Sequence, residues 1–251
     1  MDLFTLGLKS LETSPKPDTC VIWLHGLGAS ADDFIPAVPH LKLPDDARVR
    51  FLFPQAPERP VTVNGGWAMP AWYDILKMLP EREIVPEHLY EAAQGLHELT
   101  QAQIDDGIPE ERIFWVGFSQ GGAVVLEAAL NGGRYSVGNA SDEIVDNTAA
   151  NIKASTKKTP TKPAAVLALS TYVALPVDMP HLELNQLIFW HGHGSQDDVV
   201  PFSMGKKAVE ITRALAGRSQ WQAYPMMHEV CMAELEAIGL FIQDQIQRTS
   251  N

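Results

Sequence analysis

The sequence predicts an α/β fold, in which helices cover both faces of a mostly parallel, doubly wound sheet. Short runs of apolar, β-branched and aromatic residues alternate along the chain with longer segments of helical period. Several of these runs do not alternate apolar with polar residues, which is typical of parallel strands covered on both faces. Strands that alternate with helices imply right-handed crossovers, and such sheets bind ligands at the carboxyl ends of their strands.

The individual elements can be placed in chain order. An edge strand ends at Lys9, and the apolar run 20–24 supplies a central strand. Residues 30–33 carry side chains that cap a short helix, which ends before Pro44. Apolar residues at helical spacing predict a long amphipathic helix over 86–105. The remaining predicted elements are strands at 49–53, 113–116, 165–169, 187–190 and 221–224 and helices at 123–130, 203–216 and 229–248.

Two segments interrupt this alternation. Residues 58–74 read as a long loop, whose aromatic side chains favour a functional segment over a disordered one. Residues 131–163 are rich in Gly, Asn, Ser, Thr and Lys, a composition that cannot offset the entropy cost of ordering. We therefore expect a single domain over residues 1–251 with a flexible, largely dispensable insertion at about 131–163.

Composition and charge exclude several classes of partner. The chain has 251 residues, 45% of them hydrophobic, and its formal net charge of −12 disfavours nucleic acid and anionic membranes. The first residues lack the pattern of a signal peptide, and no run of about 18 apolar residues predicts a membrane span. We expect a cytoplasmic protein without stable membrane insertion. Its two cysteines, Cys20 and Cys231, should be buried and reduced.

The motif Gly-x-Ser-x-Gly lies between a predicted strand and a predicted helix. A chain that turns from strand to helix within so few residues holds Ser119 in a strained conformation, and small flanking residues let the two elements approach. The helix begins directly behind the serine. The Gln120 N–H and the positive end of the helix dipole therefore face any negative charge that develops beside Ser119.

A nucleophilic serine needs a base, and the base needs an acceptor that fixes its tautomer. Ser119, then Asp197 or Asp198, then His228 is the chain order expected of an α/β-hydrolase, and each follows a predicted strand. His228 is preferred over the other histidines because it follows the last strand. We expect His25 to hold the shape of its Gly-rich turn, whose backbone N–H groups face outward.

Two other classes of function compete with this interpretation. A metal-dependent hydrolase could use His191 and His193 with the neighbouring aspartates, since alternating histidines at a strand end can bind one metal. Hydrolytic metal sites need further ligands, and the serine set would then be a coincidence. A non-catalytic binding protein is the second alternative. It is disfavoured because the sequence contains a serine, an acid and a base in the expected order. We predict that no metal or other cofactor is required.

The chain resembles the carboxylesterase and acyl-protein thioesterase family of the α/β-hydrolases, also called phospholipase/carboxylesterase, over nearly its whole length. This resemblance implies an α/β-hydrolase fold with a minimal lid or none. Its motifs are VIWLHGLG at 21–28, FPQAP at 53–57, PAWYDI at 70–75, GFSQGG at 117–122, ALSTY at 168–172, DDVV at 197–200 and YPMMHEV at 224–230.

The resemblance implies a role for each site residue and a class of substrate. The nucleophile is Ser119, the acid Asp197 and the base His228, and the backbone N–H groups of Leu27 and Gln120 form the oxyanion hole. A shallow acyl groove lies beside Trp72. Further substrate contacts come from Met69 and Met227. The implied activity is hydrolysis of short to medium acyl esters and of thioesters, with acyl-protein thioesterase or lysophospholipase as alternative physiological roles. The family resemblance is also compatible with a homodimer.

Two positions need a decision. The family usually has glycine where this chain has Met227, so either that backbone angle does not require glycine or the loop is reshaped. Neighbours on an extended backbone point to opposite sides, so only one of the two aspartates can reach His228. The register of the resemblance selects Asp197. Asp198 is then expected to cap the turn through its side chain.

Overall fold

The computed structural model describes residues 4, 7–78, 82–135, 160–181 and 183–249. Its strands are β1 Lys9–Glu12, β2 Thr19–Leu24, β3 Val49–Phe53, β4 Glu58–Val61, β5 Trp67–Pro70, β6 Ile75–Lys77, β7 Glu83–Ile84, β8 Ile113–Phe118, β9 Ala165–Leu169, β10 Ile188–Gly194 and β11 Arg218–Tyr224. Its helices are α1 Pro86–Asp105, α2 Gln120–Leu130, α3 Phe202–Ala216 and α4 Met232–Thr249. A 3-10 helix, Ile35–Leu41, stands where the sequence predicted a short helix before Pro44.

The central sheet has seven strands in the order β1-β3-β2-β8-β9-β10-β11. Only β1 runs antiparallel to its neighbour, and the other pairs of this sheet are parallel. The predicted mostly parallel, doubly wound sheet is therefore confirmed. The chain winds outward in one direction from β2 to β3 and in the other from β8 onward. The carboxyl ends of β2 and β8 consequently border the crevice at which such sheets bind ligands.

Helices cover both faces of the sheet, as predicted. Along β2, Ile22 and Leu24 point into a core shared with α1, α2 and α3. Val21 and Trp23 point the other way, into a core shared with the 3-10 helix Ile35–Leu41 and α4. All six residues of β2 are buried, because a strand at the centre of two apolar layers has no solvent-facing side.

The prediction of a long loop at 58–74 is wrong. Strands β4 and β5 form an antiparallel hairpin in which Val61 lies opposite Trp67. Gly65 and Gly66 both have positive φ, 72° and 78°, so the glycine pair lets the chain reverse tightly. The hairpin leaves the side chain of Trp67 77% exposed.

The boundary predicted for the insertion is also wrong at its start. Asn131 is buried, and its side chain donates to Glu127 and accepts the amides of Asp178 and Met179. The Tyr135 hydroxyl donates to Glu127 Oε1 at 2.8 Å. Asn131 and Tyr135 therefore belong to the packed structure, since their polar groups form hydrogen bonds with residues of the fold. At the other end of the predicted insertion residues 160–163 are also described, and Thr161 is buried. Residues 136–159 lie outside the described residues.

The structure bears on two further predictions. No helix in the described ranges is long and apolar enough to cross a membrane. Both cysteines are free, as predicted, although Cys231 is only half-buried. Burial raises the pKa of the Cys20 thiol to about 12, so this thiol stays protonated and unreactive at neutral pH.

Candidate active site

Ser119 occupies the sharp turn between β8 and α2, with φ 54° and ψ −115°. A side chain at positive φ is strained, so the surrounding structure must hold it in place. The Ser119 N–H donates to the Leu169 carbonyl at 2.9 Å, and the Ser119 carbonyl accepts the Thr171 hydroxyl at 2.6 Å. The predicted strained turn is therefore present. It is fixed by Leu169 and Thr171 at the end of β9, which lie in the motif at 168–172 but had no role predicted from the sequence.

Glycines at the turn allow β8, α2 and β2 to approach closely. A Cβ on Gly117 would lie 2.3 Å from the Gly121 carbonyl oxygen, and one on Gly121 would lie 2.5 Å from the Leu24 carbonyl oxygen. Backbone atoms cannot move away as a flexible side chain can. The prediction that small residues must flank the serine is confirmed.

The structure brings Ser119, His228 and Asp197 into one hydrogen-bonded chain. His228 Nε2 lies 2.8 Å from Ser119 Oγ, and His228 Nδ1 lies 2.7 Å from Asp197 Oδ2. A carboxylate only accepts, so Nδ1 carries the ring proton and the Nε2 lone pair faces the hydroxyl. This geometry allows the histidine to take the proton of the serine hydroxyl.

Asp197 is buried and holds two groups at once. Its Oδ2 binds His228, while its Oδ1 accepts the amides of Val199 at 3.0 Å and Val200 at 2.8 Å. Burial acts to raise the pKa of Asp197, but the bonds from His228 and Val200 outweigh it, and the pKa lies below its usual value. Asp198 is exposed. The prediction that Asp198 caps the turn is wrong, because Asp197 Oδ1 binds the turn amides.

The backbone N–H groups of Leu27 and Gln120 are available to a ligand. Both residues line the same cavity as Ser119. Neighbouring amides are occupied, since Gly28 N–H donates to the Pro70 carbonyl and Ala29 N–H donates to the Gly26 carbonyl. Within the described part of the chain, the N–H groups of Leu27 and Gln120 have no acceptor. Such a pair, with one member at a helix N-terminus, can bind a negatively charged oxygen.

His25 holds the turn that carries Leu27, as predicted. Its Nε2 accepts the Ala56 amide at 3.1 Å, which places the ring proton on Nδ1, 2.7 Å from the Gly26 carbonyl oxygen. Burial lowers the pKa of His25, although the bond to Gly26 acts in the opposite direction. The ring is therefore neutral at neutral pH and connects the turn to the segment after β3.

The prediction that Trp72 borders the acyl groove is wrong. Its side chain is fully buried, and its Nε1–H donates to the His25 carbonyl at 2.8 Å. Its ring lies between Phe4 and His25, at centroid distances of 5.3 and 5.1 Å. The Gln120 side chain accepts the Trp72 amide and donates to the Tyr73 carbonyl, each at 2.7 Å. Trp72 thus supports the turn at His25 from behind, and its burial leaves no face for substrate.

Met69 and Met227 are likewise outside the cavity wall. The Met69 sulfur accepts the Asn64 side-chain amide, and Met227 is 50% exposed beside the site. Neither side chain lines this cavity, so the substrate contacts expected of Met69 and Met227 stay a prediction. Met227 is not among the described non-glycine residues with positive φ. Of the two explanations for a methionine at that position, the first holds, since its backbone angle does not require glycine.

The cavity beside Ser119 has a volume of about 320 Å³ and a mostly apolar wall. Tyr73 and Tyr172 contribute hydroxyl groups that bond to each other at 2.7 Å. Among the described residues no separate lid domain covers this cavity. The sequence motifs at 70–75 and 168–172 contain both tyrosines, but nothing in them indicates which side chains face inward. The apolar lining residues are Leu27, Ala29, Val63, Ile75, Met78, Phe118 and Val199.

The histidines of the alternative metal site serve other contacts. His191 Nε2 lies 3.0 Å from the Thr212 hydroxyl, and His193 Nε2 donates to the Val200 carbonyl at 2.9 Å. Burial lowers the pKa of His191 to about 3, so its ring is neutral. In the ranges that the structure describes, no group of three or more His, Cys, Asp or Glu is arranged to hold a metal ion. His193 instead supports the segment 195–200, hereafter the acid loop.

Comparison with known proteins gives a family for this fold and geometry. A family model described as phospholipase/carboxylesterase matches residues 11–135 and 151–246. The chain belongs to this family. Membership confirms the predicted resemblance, and it makes the protein a carboxylic-ester hydrolase with the α/β-hydrolase fold. Residues 136–150 lie outside the match and within the predicted insertion.

Relatives and solved structures agree with that membership. This phospholipase/carboxylesterase family member is 33% identical to acyl-protein thioesterase 1 of Cryptococcus neoformans, over 96% of this chain and 99% of that protein. It is 30% identical to acyl-protein thioesterase 1 of Neurospora crassa, over 92% and 88% of the two chains. The crystal structure of Arabidopsis thaliana SOBER1 matches with a TM-score of 0.75 and 26% identity, over 91% of this chain and 99% of that chain.

Proposed function

We propose that this protein hydrolyses carboxylic esters and thioesters with short to medium acyl chains through an acyl-enzyme on Ser119. The observation that carries the proposal is the hydrogen-bonded chain from Ser119 through His228 to Asp197, with distances of 2.8 and 2.7 Å. This chain ends at the wall of an apolar cavity of about 320 Å³. A cavity of this kind suits an acyl group, and the serine at its wall suits attack on the acyl carbonyl.

In the first half of the reaction, Ser119 Oγ attacks the carbonyl carbon while His228 Nε2 takes the hydroxyl proton. Asp197 stabilises the imidazolium that forms. The carbonyl oxygen becomes negatively charged and accepts hydrogen bonds from the N–H groups of Leu27 and Gln120. When the tetrahedral intermediate collapses, His228 returns the proton to the leaving alcohol or thiol, and the acyl group stays on Ser119.

In the second half, water replaces the leaving group. His228 takes a proton from the water as its oxygen attacks the acyl-enzyme carbonyl, and the same two N–H groups stabilise the second intermediate. Its collapse releases the carboxylic acid and returns the proton to Ser119. No step needs a group other than the protein side chains, the backbone and water.

The relatives favour one physiological role. Two fungal relatives are named acyl-protein thioesterase 1, so a thioester-linked acyl group on a protein is the favoured substrate. A lysophospholipid is the alternative, in keeping with the family description phospholipase/carboxylesterase. Cytoplasmic location and a homodimeric state remain predictions from the sequence.

Substitution of the serine tests the proposal. Ser119→Ala should remove nearly all ester hydrolysis and leave at most the roughly 10³- to 10⁴-fold acceleration over water that binding and the oxyanion donors supply. A fluorophosphonate should label the wild type at Ser119 and abolish its activity, whereas a metal chelator should leave activity intact. A few per cent of wild-type activity in clean Ser119→Ala protein, or a chelator-sensitive enzyme that resists labelling, would contradict it.

A further inference from the structure

Arg82 forms part of the wall of the catalytic cavity. Among the described lining residues it is the one arginine, lysine, aspartate or glutamate. The protein as a whole has a formal net charge of −12, so a cavity whose described wall has a positive charge and no carboxylate is a local exception. Low-dielectric walls strengthen the field of such a charge inside the cavity.

The described groups that contact the Arg82 guanidinium carry no negative charge. One Nη2–H donates to the Val199 carbonyl at 2.9 Å, and the guanidinium lies 4.4 Å from the centroid of the Tyr172 ring. Both neighbours are neutral. The Nε–H is buried and has no acceptor among the described residues. No carboxylate in the described ranges forms an ion pair with it, whereas Arg50 and Arg134 each bind an aspartate.

A guanidinium has five N–H donors in a planar fork, and Val199 uses only one of those on Arg82. The Nη donors that Val199 leaves free and the charge fit a carboxylate, which can accept two parallel N–H bonds from one arginine. We propose that Arg82 binds a carboxylate on the substrate, so that the preferred esters carry a carboxylate on the acyl or the alcohol part. This inference rests on the proposed function, because it concerns the substrate of the same site.

A purely structural role for Arg82 makes a different prediction. Through Val199, Arg82 also supports the acid loop, whose Asp197 binds His228. Loss of that support would reduce hydrolysis of charged and neutral esters by the same factor. Loss of a carboxylate contact would reduce hydrolysis of the charged ester more. The ratio of kcat/KM between matched charged and neutral esters therefore distinguishes the two roles.

The first substrate pair places the carboxylate on the acyl side. It consists of the mono-4-nitrophenyl ester of adipic acid and its methyl ester, which has the same chain without the charge. The charged-to-neutral ratio of kcat/KM should fall about tenfold in Arg82→Gln, which removes the charge and the guanidinium donors. Arg82→Lys, which keeps the charge but not the fork, should give an intermediate ratio.

The second pair places the carboxylate on the alcohol side, as the hexanoate ester of 4-hydroxybenzoic acid and the same ester of methyl 4-hydroxybenzoate. A fall in either ratio supports the proposal and assigns the carboxylate to that side. In the wild type the same ratio should also decrease as salt is raised. Lys207→Gln removes one exposed positive charge on α3, outside the cavity wall, and should leave both ratios unchanged.

Two results would overturn the inference. One is a pair of ratios that Arg82→Gln leaves at wild-type values, and the other is an equal loss for charged and neutral esters. Failure of the proposed function has a separate signature, since Ser119→Ala would then still hydrolyse the neutral methyl ester. Inactive Ser119→Ala protein together with unchanged ratios in Arg82→Gln would reject only the role of Arg82.

Discussion

Asp197 binds partners with both carboxylate oxygens, and this distinguishes it from its neighbour. Oδ2 orients His228, while Oδ1 holds the amides of Val199 and Val200. The side chain can therefore keep only one conformation. Asp198 follows it directly in the turn but is exposed to solvent.

Matched substitutions of the two aspartates test the choice of acid. Asp197→Asn should lower kcat by several orders of magnitude, because an amide at this position favours the wrong histidine tautomer. Asp198→Asn should cost tenfold or less, since about half a kcal/mol is usual for an exposed substitution. Both variants are compared with one ester at one pH, with folding checked by circular dichroism. If Asp198→Asn is the inactive variant, the assignment is wrong by one residue.

Trp72 is expected to affect stability and not the preference for acyl length. Trp72→Phe leaves the His25 carbonyl without its indole donor and should destabilise the protein by about 1–3 kcal/mol. Urea unfolding measures this loss, and esters of increasing chain length measure the preference. Trp67→Phe, at a side chain that is 77% exposed, is the control and should change stability by about 0.5 kcal/mol or less. A changed chain-length profile in Trp72→Phe would show that this side chain does contact the acyl chain.

At the scale of single elements, the sequence predicts regular buried segments better than irregular ones. β3 Val49–Phe53, β9 Ala165–Leu169 and α1 Pro86–Asp105 have the predicted bounds, because apolar periodicity determines them. The hairpin at β4 and β5 was missed, since both of its short strands carry Pro and they bury few side chains. The direction of Trp72 was missed for another reason. A motif places a residue near the site but does not show whether its ring faces the cavity or the core.

Replacement of the segment 136–159 tests the role of the predicted insertion. A short Gly/Ser linker should leave short-chain ester hydrolysis within a few-fold of wild type, because the family match omits residues 136–150. The linker must start after Tyr135, whose hydroxyl binds the buried Glu127. A matched deletion that also removes Asn131–Tyr135 should unfold at a lower temperature. A loss of more than about tenfold in the first variant, with its fold intact, would indicate that the segment covers the site.

Across the whole molecule, Glu234 links stability to pH. This glutamate of α4 is fully buried against Gly192 of β10, and neither carboxylate oxygen has a hydrogen-bond partner in the described structure. Burial raises its pKa to about 8 from a usual 4.5. Between these values the folded protein holds a proton that the unfolded chain releases. Stability should therefore fall as pH rises through this window, by up to about 1.4 kcal/mol per pH unit.

Glu234→Gln should remove that contribution, because glutamine does not titrate. The variant should be more stable than wild type at pH 8, and its free energy of unfolding should depend less on pH between 5 and 8. Denaturant unfolding at several pH values measures both. Glu210→Gln, at an exposed position of α3, should retain the wild-type slope. Identical slopes for wild type and Glu234→Gln would show that this carboxyl does not control the pH dependence.

The sequence predicts where the site lies in the fold, but it does not show which side chains line the cavity. Ser119, His228 and Asp197 each follow a strand, and parallel strands bring their carboxyl ends to one edge, so their proximity could be predicted. Contacts such as Arg82 with Val199, 117 positions apart, depend on how loops fold over that edge. Likewise, the amphipathic pattern of α4 does not show that the Glu234 carboxyl is buried without a described hydrogen-bond partner. Such features arise from packing between segments and carry no local signal.

The distance along the chain between Ser119 and His228, 109 positions, has a consequence for biosynthesis. A ribosome makes the chain from its N-terminus, so the serine turn emerges well before the acid loop supplies Asp197 and β11 leads to His228. A nascent or prematurely terminated chain holds a serine without its base. The enzyme can therefore hydrolyse acyl groups only when synthesis is nearly complete. Chains that end before His228 do not hydrolyse the acylated molecules around them.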